Sequence, residues 1–66
     1  MSPRRFAMKL KRLREARGMT QDLLAKRVRV SRGYLSRLEM GRHDPPLSLL
    51  RRLAKELRVK VAQLVE

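Results

Sequence analysis

The residues of this chain best suited to chemistry are arginines at helical spacing, and that chemistry is hydrogen bonding and ion pairing rather than bond making. Gly33, Ser36, Arg37 and Met40 fall on one face of a helix turning about 100° per residue, with Arg32 at its leading edge. A guanidinium carries several N–H donors in one plane and suits partners that offer paired acceptors. The chain has no cysteine, one histidine, no phosphate-binding glycine loop and no clustered carboxylates, so catalysis has the least support. His43 has no second imidazole or thiol to share a metal with and only Asp44 beside it, so a loop position neighbouring a phosphate suits it better than a metal site.

These residues need a rigid support, and the neighbouring sequence supplies one. Leu35 and Leu38 form the inner face of a helix predicted over 31–40, which starts at the cap residue Ser31 and stops at Gly41. Leu24 and Val28 lie one turn apart on a preceding helix, predicted over 20–28 and capped by Thr20. Ala25 stands where two steeply crossing helices need a small side chain, and Val30 plugs the corner. The pair reads as a helix-turn-helix. Arg29 occupies its turn, where a positive φ is expected at a cost of about 1 kcal/mol for a residue with a Cβ.

Three further helices are predicted around this pair. The first, over 4–17, opens with Ser2 and Pro3, carries the stripe Phe6, Leu10, Leu13 and Ala16 or Arg17, and ends at Gly18. Arg4 and Arg5 read either as a basic arm or as a frayed terminus. Arg42 to Pro46 form a loop that the two prolines keep out of helix. A fourth helix over 47–57 has the stripe Leu47, Leu50, Leu53, Ala54 and Leu57; alone it resembles a cationic helix lying on a membrane, but the same stripe is needed to cover the central pair. A fifth over 60–65 adds Val61, Leu64 and Val65, an excess that favours a subunit contact, the alternative being a tail packed on the core. The expected fold is all-α, a compact bundle of four to five short helices in a single domain over 1–66.

Composition sets the partner class. With 18 Lys plus Arg against 6 Asp plus Glu the formal net charge is +12, and a polyanion is the economical partner. Arg-rich surface composition or an anionic membrane would also accommodate the charge. Aromatic residues make up 3%, so the core must be built from Leu, Val, Ala and Met, which suits packed helices. No apolar run reaches the length of a membrane span or signal peptide, and no disulfide is possible, so the chain is expected to be soluble and cytoplasmic. No cofactor or small-molecule ligand is indicated.

From about Leu10 to Val65 the chain resembles the lambda-repressor and Cro-like helix-turn-helix family. The resemblance rests on LKRLREARGMTQ, LLAKR with VS, YLSRLE with MGR, and DPPLSLLRRLAKELRV with VAQL. It implies that the third helix lies in the DNA major groove with Arg32, Gly33, Ser36 and Arg37 as base-reading positions, where an Arg bidentate to guanine O6 and N7 gives about 1–3 kcal/mol of discrimination. It also implies that Gln21 contacts a phosphate and braces the recognition helix, and that Arg42 and His43 contact the backbone, with Tyr34 either on a phosphate or packed beside the turn. Arg14 is implied to pair with Glu39 as a structural tie. Arg29 and Arg58 stand where the family has glycine, Pro46 and Lys60 where it has Ser or Thr caps, and Gly33 removes a side chain from a reading position.

The reading that follows is a sequence-specific transcriptional regulator, most simply a repressor. It would bind a palindromic operator as a homodimer through Val61, Leu64 and Val65, with recognition helices about 34–36 Å apart. An antitoxin-like protein-interaction module and a sequence-blind nucleic-acid-binding protein are the alternatives.

Overall fold

The computed structural model describes residues 2–66 and, among them, contains only helices. These are α1 (Pro3–Ala16), α2 (Gln21–Val28), α3 (Arg32–Glu39), α4 (Leu47–Leu57) and α5 (Val61–Val65). The expected bounds at 17, 20, 31, 40 and 60 differ because they count caps as helix, and the expected start at 4 falls one residue inside α1, which opens at Pro3. Thr20, Ser31 and Lys60 have extended backbones with ψ of 164°, 153° and 151°, and the side chains of Thr20 and Ser31 accept from Leu23 N–H at 3.1 Å and Tyr34 N–H at 3.0 Å. Lys60 has no side-chain acceptor; instead its own N–H donates to Gln63 Oε1 at 2.8 Å.

The first four helices end in the same way. In each, the residue at C′ takes a left-handed conformation and the next N–H reaches back to the carbonyl five residues earlier: Met19 to Arg14, Val30 to Ala25, Arg42 to Arg37 and Val59 to Ala54, at 2.9–3.1 Å. Gly18 (φ 66°) and Gly41 (φ 75°) adopt this conformation without a Cβ penalty, whereas Arg29 (φ 63°) and Arg58 (φ 56°) carry about 1 kcal/mol each. Gly41 has a second reason to be glycine, since a Cβ there would lie 3.4 Å from the Arg4 Cα.

The helices pack as a closed ring: α1 against α3 and α5, α2 against α3 and α4, and α4 against α5. Phe6, Leu10, Leu24, Val28, Leu35, Leu38, Leu53 and Leu57 are all buried at its centre, and Ala25 lies buried at the α2–α3 crossing. Two cationic side chains tie helix ends across the ring. Arg52 Nε donates to the Val28 carbonyl at 3.0 Å, and Arg17 Nε to the Leu57 carbonyl at 3.2 Å, each meeting the negative end of a helix.

Three expectations about the apolar stripes need correction. Leu47 is 53% exposed while Leu49 is buried: Leu47 is the first residue of α4, and the inward place expected of it belongs to Leu49. On α1 the fourth buried position is Arg14, not Leu13, Ala16 or Arg17; Leu13 is half-buried and the other two are exposed. Leu64 is 1% exposed and belongs to the core of its own chain, and Val61 and Val65 are half-buried against the same core, so α5 packs as a tail on the core, the alternative to a subunit contact.

Candidate nucleic-acid interface

The outer side of α3 is held in place from behind by one buried cluster. Glu39, in the last turn of α3, accepts from Arg14 Nε at 2.6 Å and Nη2 at 3.0 Å, and from Gln21 Nε2 at 3.0 Å. The remaining Arg14 nitrogen, Nη1, donates to the Met19 carbonyl at 2.7 Å. Three elements therefore converge on one carboxylate: α1 through Arg14, the start of α2 through Gln21, and α3 itself. Side-chain exposures of 10% and 3% for Arg14 and Glu39 mean that little water competes for these bonds. The Glu39 hydrogen bond, ahead of the opposing effect of burial, holds the Arg14 pKa above its already high ordinary value. A cation whose pKa rises on folding adds stability that is lost only as pH climbs through the folded value, so Arg14 stays charged throughout the physiological range. Gln21 braces α3 as expected, its amide nitrogen donating to Glu39, with its second N–H left for another acceptor.

On the outer side the polar groups are exposed. Arg32, Gly33 and Arg37 are exposed, and Ser36 is half-buried between them. Arg32 Nε lies 3.6 Å from Asp22 Oδ1, a pair so open that water and salt leave it little strength. Arg37 Nε donates to His43 Nε2 at 3.2 Å. The His43 ring in turn stacks on Tyr34, with centroids 5.5 Å apart and planes 20° from parallel. Tyr34 is half-buried against the core, so packing beside the turn, one of its two expected roles, is present. Arg42 is exposed beside His43, its backbone N–H fixed to the Arg37 carbonyl at the end of α3.

The arrangement is therefore a short helix, rigid on its inner side, presenting two arginines and a loop cation outward. A family model described as helix-turn-helix matches residues 10–64. The chain belongs to the helix-turn-helix family. The chain is 37% identical over 57 residues to an immunity repressor protein of Bacillus phage phi105, covering 86% of this chain and 40% of the repressor, so it spans well under half of that relative. It is 42% identical over 53 residues to an HTH-type transcriptional regulator of Methanocaldococcus jannaschii, covering 80% of each. Among solved structures, the restriction-modification controller protein C.AhdI from Aeromonas hydrophila superposes with a TM-score of 0.89 at 29% identity, covering 94% of both chains. The clp gene regulator ClgR from Corynebacterium glutamicum gives 0.92 at 34% identity, covering 98% of this chain and 69% of that one.

Sequence reasoning missed the contact between Arg37 and His43. Its signal was present: Arg37 and His43 are six residues apart across a Gly41 stop that folds the loop back over the last turn of α3. The two carbonyl ties made by Arg17 and Arg52 were also missed, because each joins residues far apart in sequence. Among the described residues no helix is long and apolar enough to cross a membrane.

Proposed function

We propose that this helix-turn-helix transcriptional regulator reads DNA sequence through the major groove with the outer face of α3, in the cytoplasm and without catalysing a reaction. The observation that carries the reading is the division of α3. Its inner side is locked by Leu35, Leu38 and the Glu39 cluster, while Arg32 and Arg37 remain exposed on a chain of formal net charge +12. Arg32, Arg37 and Ser36 are the base readers in this proposal, and Gly33 leaves room on the same face. Arg42, His43, Tyr34 and the free N–H of Gln21 set register on phosphates. Blocking a promoter is the simplest regulatory outcome, in keeping with the immunity repressor among the relatives.

A homodimer on a palindromic operator belongs to the same proposal, with the half-exposed Val61 and Val65 as the part of α5 open to a second subunit. Selection of bound duplexes from a random pool tests both points. The expected result is an enriched inverted repeat with half-sites about one helical turn apart. Recovery of unrelated sequences at equal affinity would replace the reading with sequence-blind binding. Arg42→Ala is expected to weaken binding to every sequence alike and to lower the salt slope by about one unit.

A further inference from the structure

We propose that His43 is a positioning residue for Arg37, fixing the guanidinium so that its two terminal nitrogens are presented end-on to a base; this rests on the reading of α3 given above. Arg37 Nε, the inner nitrogen of the guanidinium, is already satisfied by His43 Nε2 at 3.2 Å. Nη1 lies over Gly33, where a Cβ would stand 3.4 Å from it in ordinary contact, so only a side chain larger than methyl would compete for the space beside the guanidinium. The His43 ring is itself held by stacking on Tyr34, which packs against the core. An exposed arginine would ordinarily sample many rotamers, and each lost rotamer weakens a directional contact. Here Nε is bonded and Nη1 lies beside Gly33, and among the described residues neither Nη1 nor Nη2 is taken by a hydrogen bond within the chain, which leaves both as donors for a partner. Two adjacent donors in one plane match two adjacent acceptors such as O6 and N7 of guanine.

The contact requires an unprotonated His43 Nε2, because a protonated imidazole has no acceptor. The charged and titratable groups around the ring are Arg37 and Tyr34 from α3 and the loop neighbours Arg42 and Asp44. Protonation would set two cations against each other at the Arg37 contact and release the guanidinium. The same proton would add a positive charge beside phosphates.

The test uses the duplex selected from random DNA and its single-base-pair variants, with preference measured as the ratio of dissociation constants. Arg37→Ala is expected to lower preference at one or two adjacent pairs about tenfold or more. His43→Ala is expected to lower it at the same pairs about two- to fivefold, and to add nothing there in the Arg37→Ala background. His43→Gln, which keeps an acceptor and does not titrate, should restore it. Far-UV circular dichroism checks that each variant is folded. If His43→Ala weakens all duplexes equally, or His43→Gln fails to restore the preference, the positioning role is wrong while the reading of α3 stands. If Arg37→Ala leaves preference unchanged at every pair, both fall together.

Discussion

Arg14 and Arg37 use the same atom for opposite ends. Each donates Nε to a side chain about twenty-five residues or fewer away in sequence, one to the Glu39 carboxylate at 2.6 Å and the other to the His43 imidazole at 3.2 Å. Arg14 is buried, meets an anion, and has its two terminal nitrogens engaged as well, by Glu39 and the Met19 carbonyl. Arg37 is exposed, meets an imidazole acceptor, and among the described residues has neither terminal nitrogen in a hydrogen bond. The first arrangement engages all three guanidinium nitrogens and becomes part of the frame. The second restrains the side chain through one donor and leaves the others for a partner. Burial and the charge of the partner, rather than residue type, separate an arginine that holds the fold from one that can act on another molecule.

The frame side of this contrast is expected to show the largest effect. Glu39→Ala strands a buried guanidinium and removes the acceptor of Gln21, a loss of about 3–5 kcal/mol. For a domain of 66 residues that approaches the whole stability, so urea unfolding should show a variant that is largely unfolded or melts at much lower temperature. Arg14→Met with Glu39→Leu should recover a substantial part, because no charge is then left buried alone. If Glu39→Ala unfolds like wild type, the cluster contributes far less than its burial indicates.

On the outer face the same chemistry should leave stability alone. Arg37→Ala removes an exposed side chain whose partner is also exposed, and its unfolding midpoint should stay within about 0.5 kcal/mol of wild type. Its effect should appear only in binding, as about 1–3 kcal/mol of lost discrimination at the base it reads. A variant that was destabilised as strongly as Glu39→Ala would erase the distinction between the two arginines.

Much of this was legible in the sequence because it depends on local rules. The caps Thr20 and Ser31, the stops Gly18 and Gly41, and the inward residues Leu24, Val28, Leu35 and Leu38 follow from spacing, and the left-handed turn at Arg29 follows from its place between two helices. Contacts that cross the ring were not legible by spacing. Periodicity alone could not place a charged residue on the buried side of α1, because Arg14 is tolerated there only through Glu39, twenty-five residues later. Leu47 and Leu49 both lie on α4, and only the packing of the helix decides which is covered. Leu64 looked like spare apolar surface until α1 and α4 were known to close over it. The Arg37–His43 contact depends on the loop after Gly41 turning back, which the glycine permits but does not by itself specify.

Gly33 gives the finest test of the contrast, since it carries no side chain on the face where Arg37 acts. In the first turn of α3, glycine lowers helix stability relative to alanine, so Gly33→Ala should raise the unfolding free energy by about 0.5–1 kcal/mol. Its new Cβ would meet Arg37 Nη1 at 3.4 Å, the near limit of ordinary contact, and preference at the Arg37-read pair should change less than about twofold. Gly33→Val projects further into the space occupied by the guanidinium and should lower that preference while leaving other pairs alone. If Gly33→Ala instead abolishes binding to every duplex, the space belongs to the DNA rather than to Arg37: the nucleic acid then approaches the backbone at Gly33, and the outer face of α3 is read by close contact as much as by its arginines.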